Sequence, residues 1–170
     1  MSIDAEIGKH ISSQTLFVIA PAQPGKPSIR DVIVTKEIWE MVRDDATPPD
    51  AVSHVWGRAR AKLDAIASGG VLLFGLDPFN KSIGSNVART HPVSSGILDV
   101  RIRDPKPALR IFGGAAKKDA IVLVSFAYRD NLNFQKEVSR ARGLWDMLFP
   151  KHSPMIGDGH DDYFSNLLPG

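Results

Sequence analysis

The sequence contains no cysteine. Disulfides, thiolate metal centres and thiol nucleophiles are excluded, and a reducing cytoplasm is the compartment that fits. No apolar run approaches the roughly 18 residues of a membrane-spanning helix. The opening MSIDAEIGKH is polar and carries acids, so it does not read as a signal peptide. There is no phosphate-loop motif, no dinucleotide glycine fingerprint, no zincin histidine pair and no G-x-S-x-G elbow. Internal repeats and low-complexity tracts are absent as well.

What is present suits one globular domain. The chain has 170 residues, 43% of them hydrophobic and 24% charged, enough to bury a core without staples. The net charge of +2 conceals an uneven distribution. Segment 97–152 holds 11 Lys/Arg against 6 acids, a local +5, whereas 153–170 carries three aspartates and no base. A basic segment of this kind points to an anionic partner or to an ordinary solvated face.

Along the chain, TLFVIA (15–20) reads as a short strand or packed arm, and PAQPGKPS (21–28) as a linker closing an N-terminal extension over residues 1–28. RDVIV (30–34) has the β-branched content of a first strand, and Thr35 can cap a short helix, KEIWEMVRDD. Val52, Val55, Trp56, Ala59, Leu63 and Ile66 recur at three- and four-residue steps, predicting an amphipathic helix that Gly69–Gly70 ends. His54, Arg58 and Lys62 follow on another face, where a solvated surface is the expectation. VLLFGLDPFN (71–80) is a strand or a packed loop, and 80–96 has turn composition without a period.

The stretch GILDVRIRDPKPALRIFGGAAKKDAIVLVSFAYRD (96–130) divides into three strands separated by DPKP and AKKD, an antiparallel meander. IVLV suggests a central strand covered on both faces. Gly113 and Gly114 suggest a bulge or a close approach. Asn133 caps a final helix with Phe134, Val138, Ala141, Trp145 and Leu148 on one face, which Pro150 ends. The last residues, 151–170, read as an irregular acidic tail. The expected fold is α+β: a small antiparallel sheet, helices on one face, and a core domain over 29–150.

The order of elements and the wording of 96–148 resemble the RelE/ParE toxin superfamily, in its HigB-like or phage-derived branch. The resemblance rests on Asp99-Val100-Arg101, on Arg110 within LRIF, and on IVLVSF ending at Phe126, with Tyr128 and Arg129 where the family often has two lysines. Leu109 departs from the aromatic frequent before the arginine, and the two terminal arms have no counterpart in the minimal family. The resemblance implies a toxin that is an endoribonuclease, cutting mRNA, often on the ribosome, and neutralised by a protein antitoxin. ParE-like relatives act on a gyrase instead. A non-catalytic module on the same fold, binding protein or nucleic acid and encoded by a phage or mobile element, is the alternative.

Cleavage of RNA by its own 2′-hydroxyl builds charge on phosphoryl oxygens, which arginine forks stabilise in pairs. Arg101 and Arg103, two apart, share a strand face. Arg110 joins them if the hairpin register permits. Tyr128 can stack on a base or donate a proton, and Arg129 can clamp phosphate, although neighbours on a strand face opposite ways. These five are the expected catalytic residues, with Lys106, Lys117 and Lys118 on turns as RNA-backbone contacts. No histidine lies in the meander, but His91 or His152 can fold over it. GDGHDDY holds Asp158, His160, Asp161 and Asp162; a solvated acidic tail is the expectation there, one able to shield the basic face, and neither metal nor cofactor is called for.

Overall fold

The computed structural model describes residues 1–21, 23, 25, 27–80 and 84–169. The expected linker over 21–28 and the connection over 80–96 fall partly outside these residues. Ile3–Ser12 forms α1 and Leu16–Val18 β1. Asp31–Thr35 is β2 and Lys36–Val42 α2; Thr35 occupies the cap position without a side-chain cap bond. Ser53–Ala67 is α3, burying Val55, Trp56, Ala59, Leu63 and Ile66 as their spacing predicts. Leu72–Gly75 forms β3 and Val87–Arg89 β4, and the meander follows as β5 (Ile97–Ile102), β6 (Leu109–Lys117) and β7 (Ala120–Tyr128). Phe134–Leu148 is α4, with the Asn133 side chain accepting from the Lys136 N–H. His160–Tyr163 is a single turn, α5, and Leu167–Pro169 is β8.

Mixed α and β content is as expected, and the meander β5-β6-β7 is antiparallel. The sheet is larger than a small antiparallel one, however. Among the described residues eight strands run in the order β1-β2-β7-β6-β5-β4-β3-β8. The pairs β2/β7, β3/β4 and β3/β8 are parallel, which makes the sheet mixed.

Helices cover both faces rather than one, and the reason lies in the central strands. On β7, Ile121 and Leu123 join Val55, Trp56 and Leu63 in one core, while Val122 and Val124 join Ile7, Val138 and Trp145 in another. Strands that are apolar on both sides require two covering layers, giving an α/β/α arrangement. The N-terminal segment supplies part of the second layer: Ile7 of α1 and Leu16 of β1 are buried there. The C-terminal segment is equally integral. Tyr163 and Phe164 are 1% exposed, and β8 pairs with β3 at the sheet edge. Neither terminus is a loose arm, because each contributes apolar side chains that only the sheet can bury.

The ladder between β6 and β7 shifts register between Phe112 and Gly113, the expected bulge. A Cβ at Gly113 would collide with the Val122 carbonyl oxygen, and one at Gly114 would press on Pro154 and Trp145. The close approach is therefore made by the protein itself. Among the described residues no helix is long and apolar enough to cross a membrane.

Candidate functional site

Register brings the arginines together. Arg101 on β5 lies directly opposite Arg110 on β6. Leu98, Val100 and Ile102 point into the core beneath α3, so Asp99 and Arg101 face the α4 side, as does Phe112. Like charges directly opposite on adjacent strands repel, and this pair is tolerated only because Asp99, diagonal to Arg110, lies between them in charge. The Arg110 Nε is 3.4 Å from the Asp99 carboxylate, with the two side chains 2% and 1% exposed. One guanidinium nitrogen of Arg110 also donates to the Leu109 carbonyl at 3.2 Å.

Above this pair opens a cavity of about 520 Å³, lined by Asp99, Arg101, Arg110 and Arg129, with Leu132 and Phe134 from the start of α4 and Pro78 from the loop after β3. Three guanidiniums thus face one carboxylate. The first turn of the 15-residue α4 adds the positive end of a helix dipole. Burial is the main force on Arg110. Asp99 opposes it, and Arg101, Arg129 and Arg103 add to it, so the guanidinium is pulled down from its ordinary value to about 10. Arg101 is also lowered, chiefly by burial, against Asp99 and with Arg103 and Arg129.

Arg101 lines a second cavity as well. This one, about 460 Å³, has Arg58 and Lys62 of α3, Arg103, Asp104 and Asn86 in its walls. Strand β4 begins only at Val87, opposite Val100, and just ahead of it the Arg101 N–H donates to the Asn86 carbonyl at 2.9 Å, so the ladder with β4 stops short of the end of β5. Lys62 Nζ donates to the Arg101 carbonyl at 2.7 Å. Burial lowers the Lys62 ammonium, and so do Arg103, Arg58, Arg101 and Arg110 in that order. The two cavities form one basic surface wrapped around the end of β5.

The expected site residues divide as follows. Arg101, Arg103, Arg110 and Arg129 belong to this surface. Tyr128 does not. It faces α3, where its hydroxyl accepts from Trp56 Nε1 at 2.9 Å and its ring packs against Phe126. Alternation along β7 separates it from Arg129. Lys106 lies at the same end of the molecule, exposed on the DPKP turn, with its carbonyl 3.2 Å from His54 Nε2. Lys117 and Lys118 lie at the opposite end of β6, seven and eight residues beyond Arg110 and roughly 20 Å away; Lys117 pairs with Asp4 of α1 at 2.8 Å.

No histidine among the described residues lines either basic cavity. His152 Nε2 meets the Met1 carbonyl, and the His91 ring stands 4.8 Å from that of Phe79. The acidic tail does not shield the basic face. Its Ser165 N–H and hydroxyl donate to the Asp119 carboxylate on the far β6–β7 turn. Asp162 accepts from the N–H groups of Asp158 and Gly159, which holds its carboxyl below the ordinary range and uses it as a cap.

Arg58 and Lys62 were assigned by spacing to solvent, and Asp99 only to a motif. The signal available for the lysine and arginine was their four-residue step beside the apolar stripe, which does not reveal that β5 ends beneath them. No protein-family model, curated protein or solved structure matches the chain.

Proposed function

We propose that this chain binds the phosphate backbone of single-stranded RNA along the arginine surface, as a RelE-like protein whose cleavage chemistry, if retained, acts on mRNA. The observation that carries the reading is the convergence of Arg101, Arg110 and Arg129 on one cavity, with Asp99 as the sole carboxylate in its wall among the described residues. Buried Arg110, half-buried Arg101 and exposed Arg129 around one anion leave a charge excess that a phosphate relieves. The RelE-like reading draws on the resemblance of residues 30–148, with β1, β3, β4 and β8 as additions to that pattern. A protein antitoxin would then be a partner, its acidic groups competing for the same cations.

The non-catalytic alternative also has a specific observation behind it. Tyr128 is turned to the opposite face, and no imidazole lines the cavity among the described residues, so a general base for the 2′-hydroxyl has only Asp99 as a nearby candidate. The two readings part on one experiment. Binding and cleavage of a single-stranded RNA are followed together for the wild type and Arg101→Ala. Losing a phosphate-stabilising donor lowers a cleavage rate about 100-fold or more. Affinity without any cleavage by the wild type assigns the surface to binding alone. Absence of both removes the RNA reading.

A further inference from the structure

Next to the arginine cavity lies a second hollow of opposite character. It measures about 610 Å³, and its wall joins the apolar Leu76, Pro78, Phe79 and Val93 to the polar Asp77, Asn80, Arg89 and His160. Pro78 is a wall of both hollows. Phe79 is 79% exposed, matched among the large apolar side chains of the described residues by Met147 alone, and it stands on a loop rather than in the core. Its backbone is fixed nonetheless: the Phe79 N–H donates to Asp77 Oδ1 at 2.9 Å, and its ring is tilted 51° against that of His91. An aromatic held open to solvent beside a cluster of arginines is an arrangement that stacks bases while cations hold the backbone.

We propose that this hollow is a nucleobase subsite, in which a base of the strand whose phosphate lies on Arg101, Arg110 and Arg129 stacks on Phe79. The proposal rests on the RNA-binding reading. The occupant follows from continuity with the basic cavity: a nucleotide presents a flat apolar ring and an anionic group about one sugar apart, and the two hollows meet at one proline. Arg89 is held from behind, its Nε donating to the Tyr163 hydroxyl at 3.1 Å and a terminal nitrogen to the Gly157 carbonyl. It serves as a rigid wall, and the stacking itself falls to Phe79.

The test compares a single-stranded RNA hexamer with an abasic ribose-phosphate oligomer of equal length, by fluorescence anisotropy on the full chain. The wild type is expected to favour the hexamer about tenfold, the range of one stacked base. Phe79→Ala, an exposed change monitored by circular dichroism for intact folding, is expected to bring that ratio close to one. Arg129→Ala is expected to weaken both oligomers. Equal binding of the two oligomers by the wild type overturns the base subsite while the arginine reading stands. A tenfold ratio that persists in Phe79→Ala overturns its placement. No binding of either oligomer overturns both proposals.

Discussion

Arg30 and Arg110 are both almost completely buried, at 1% and 2% exposure, and each lies near one aspartate, yet their surroundings have opposite meanings. Arg30 enters β2 at the end of the sheet where α3 finishes. Its guanidinium donates to the carbonyls of Ile66 and Gly70 at the α3 terminus and of Ser165 and Asn166 leading into β8, and its Nε is 3.6 Å from Asp119. Burial lowers it and Asp119 opposes that; no other cation contributes. Arg110 has one carbonyl and Asp99, and it has Arg101, Arg129 and Arg103 as neighbours. A buried arginine surrounded by acceptors is a clamp. One surrounded by its own kind carries unbalanced positive charge, and burial by itself does not distinguish the two.

The comparison is broken most severely at Arg30. Arg30→Met leaves four carbonyls and Asp119 without their common donor, and it detaches the α3 terminus from the β8 entry. The expected loss is about 3–4 kcal/mol in urea unfolding. RNA or tripolyphosphate affinity of the protein that remains folded is expected to be unchanged. A loss under about 1 kcal/mol would show that the carbonyl cage is incidental.

Asp99→Asn tests the other arginine. The change is nearly isosteric and removes the carboxylate that shares the cavity wall with three guanidiniums. Arg110 sits below its ordinary value, so the folded state resists its charge. For a base with a lowered value that penalty is present in full at neutral pH and is relieved only as pH rises through about 10. Removing Asp99 enlarges the penalty, with an expected loss of about 2 kcal/mol. Inorganic tripolyphosphate should restore more stability to Asp99→Asn than to the wild type, because an anion bound to the folded state replaces the missing charge. A variant as stable as the wild type in anion-free buffer would contradict the account of a cluster in electrostatic tension.

The two arginines also mark where the sequence was readable. Trp56 and Leu63 on α3, Val138 and Trp145 on α4, and the three meander strands all follow from periodicity and turn residues, because these depend on local spacing. IVLV requires cover on both faces, which a one-sided arrangement of helices cannot supply, so the second layer is legible there. Arg101 and Arg110 were candidates by strand alternation, but their direct opposition depends on a register that pattern alone leaves open. Arg30 passed as an ordinary strand residue, since its four acceptors come from segments 36 to 136 residues away. Lys117 and Lys118 were grouped with the arginines because sequence proximity across a hairpin turn ignores strand length. Tyr128 was included beside Arg129 although alternation placed them on opposite faces.

Arg129→Ala is the smallest perturbation of the fold and the sharpest test of the site. Arg129 is exposed, and its backbone N–H donates to the Ala108 carbonyl at 2.7 Å while its carbonyl accepts from the Leu132 N–H at 3.1 Å, both of which alanine keeps. Truncating the side chain removes one of the cations that press on Arg110 and Arg101. Stability should therefore change by no more than about 0.5 kcal/mol, and in the stabilising direction. Single-stranded RNA affinity should fall at low salt, and the slope of log K against log salt should flatten by about 0.7, one phosphate's worth of released counterion. The two readouts move oppositely only if the cation is held there for a ligand. A guanidinium that served the fold would lower stability on removal and leave the salt slope as it was.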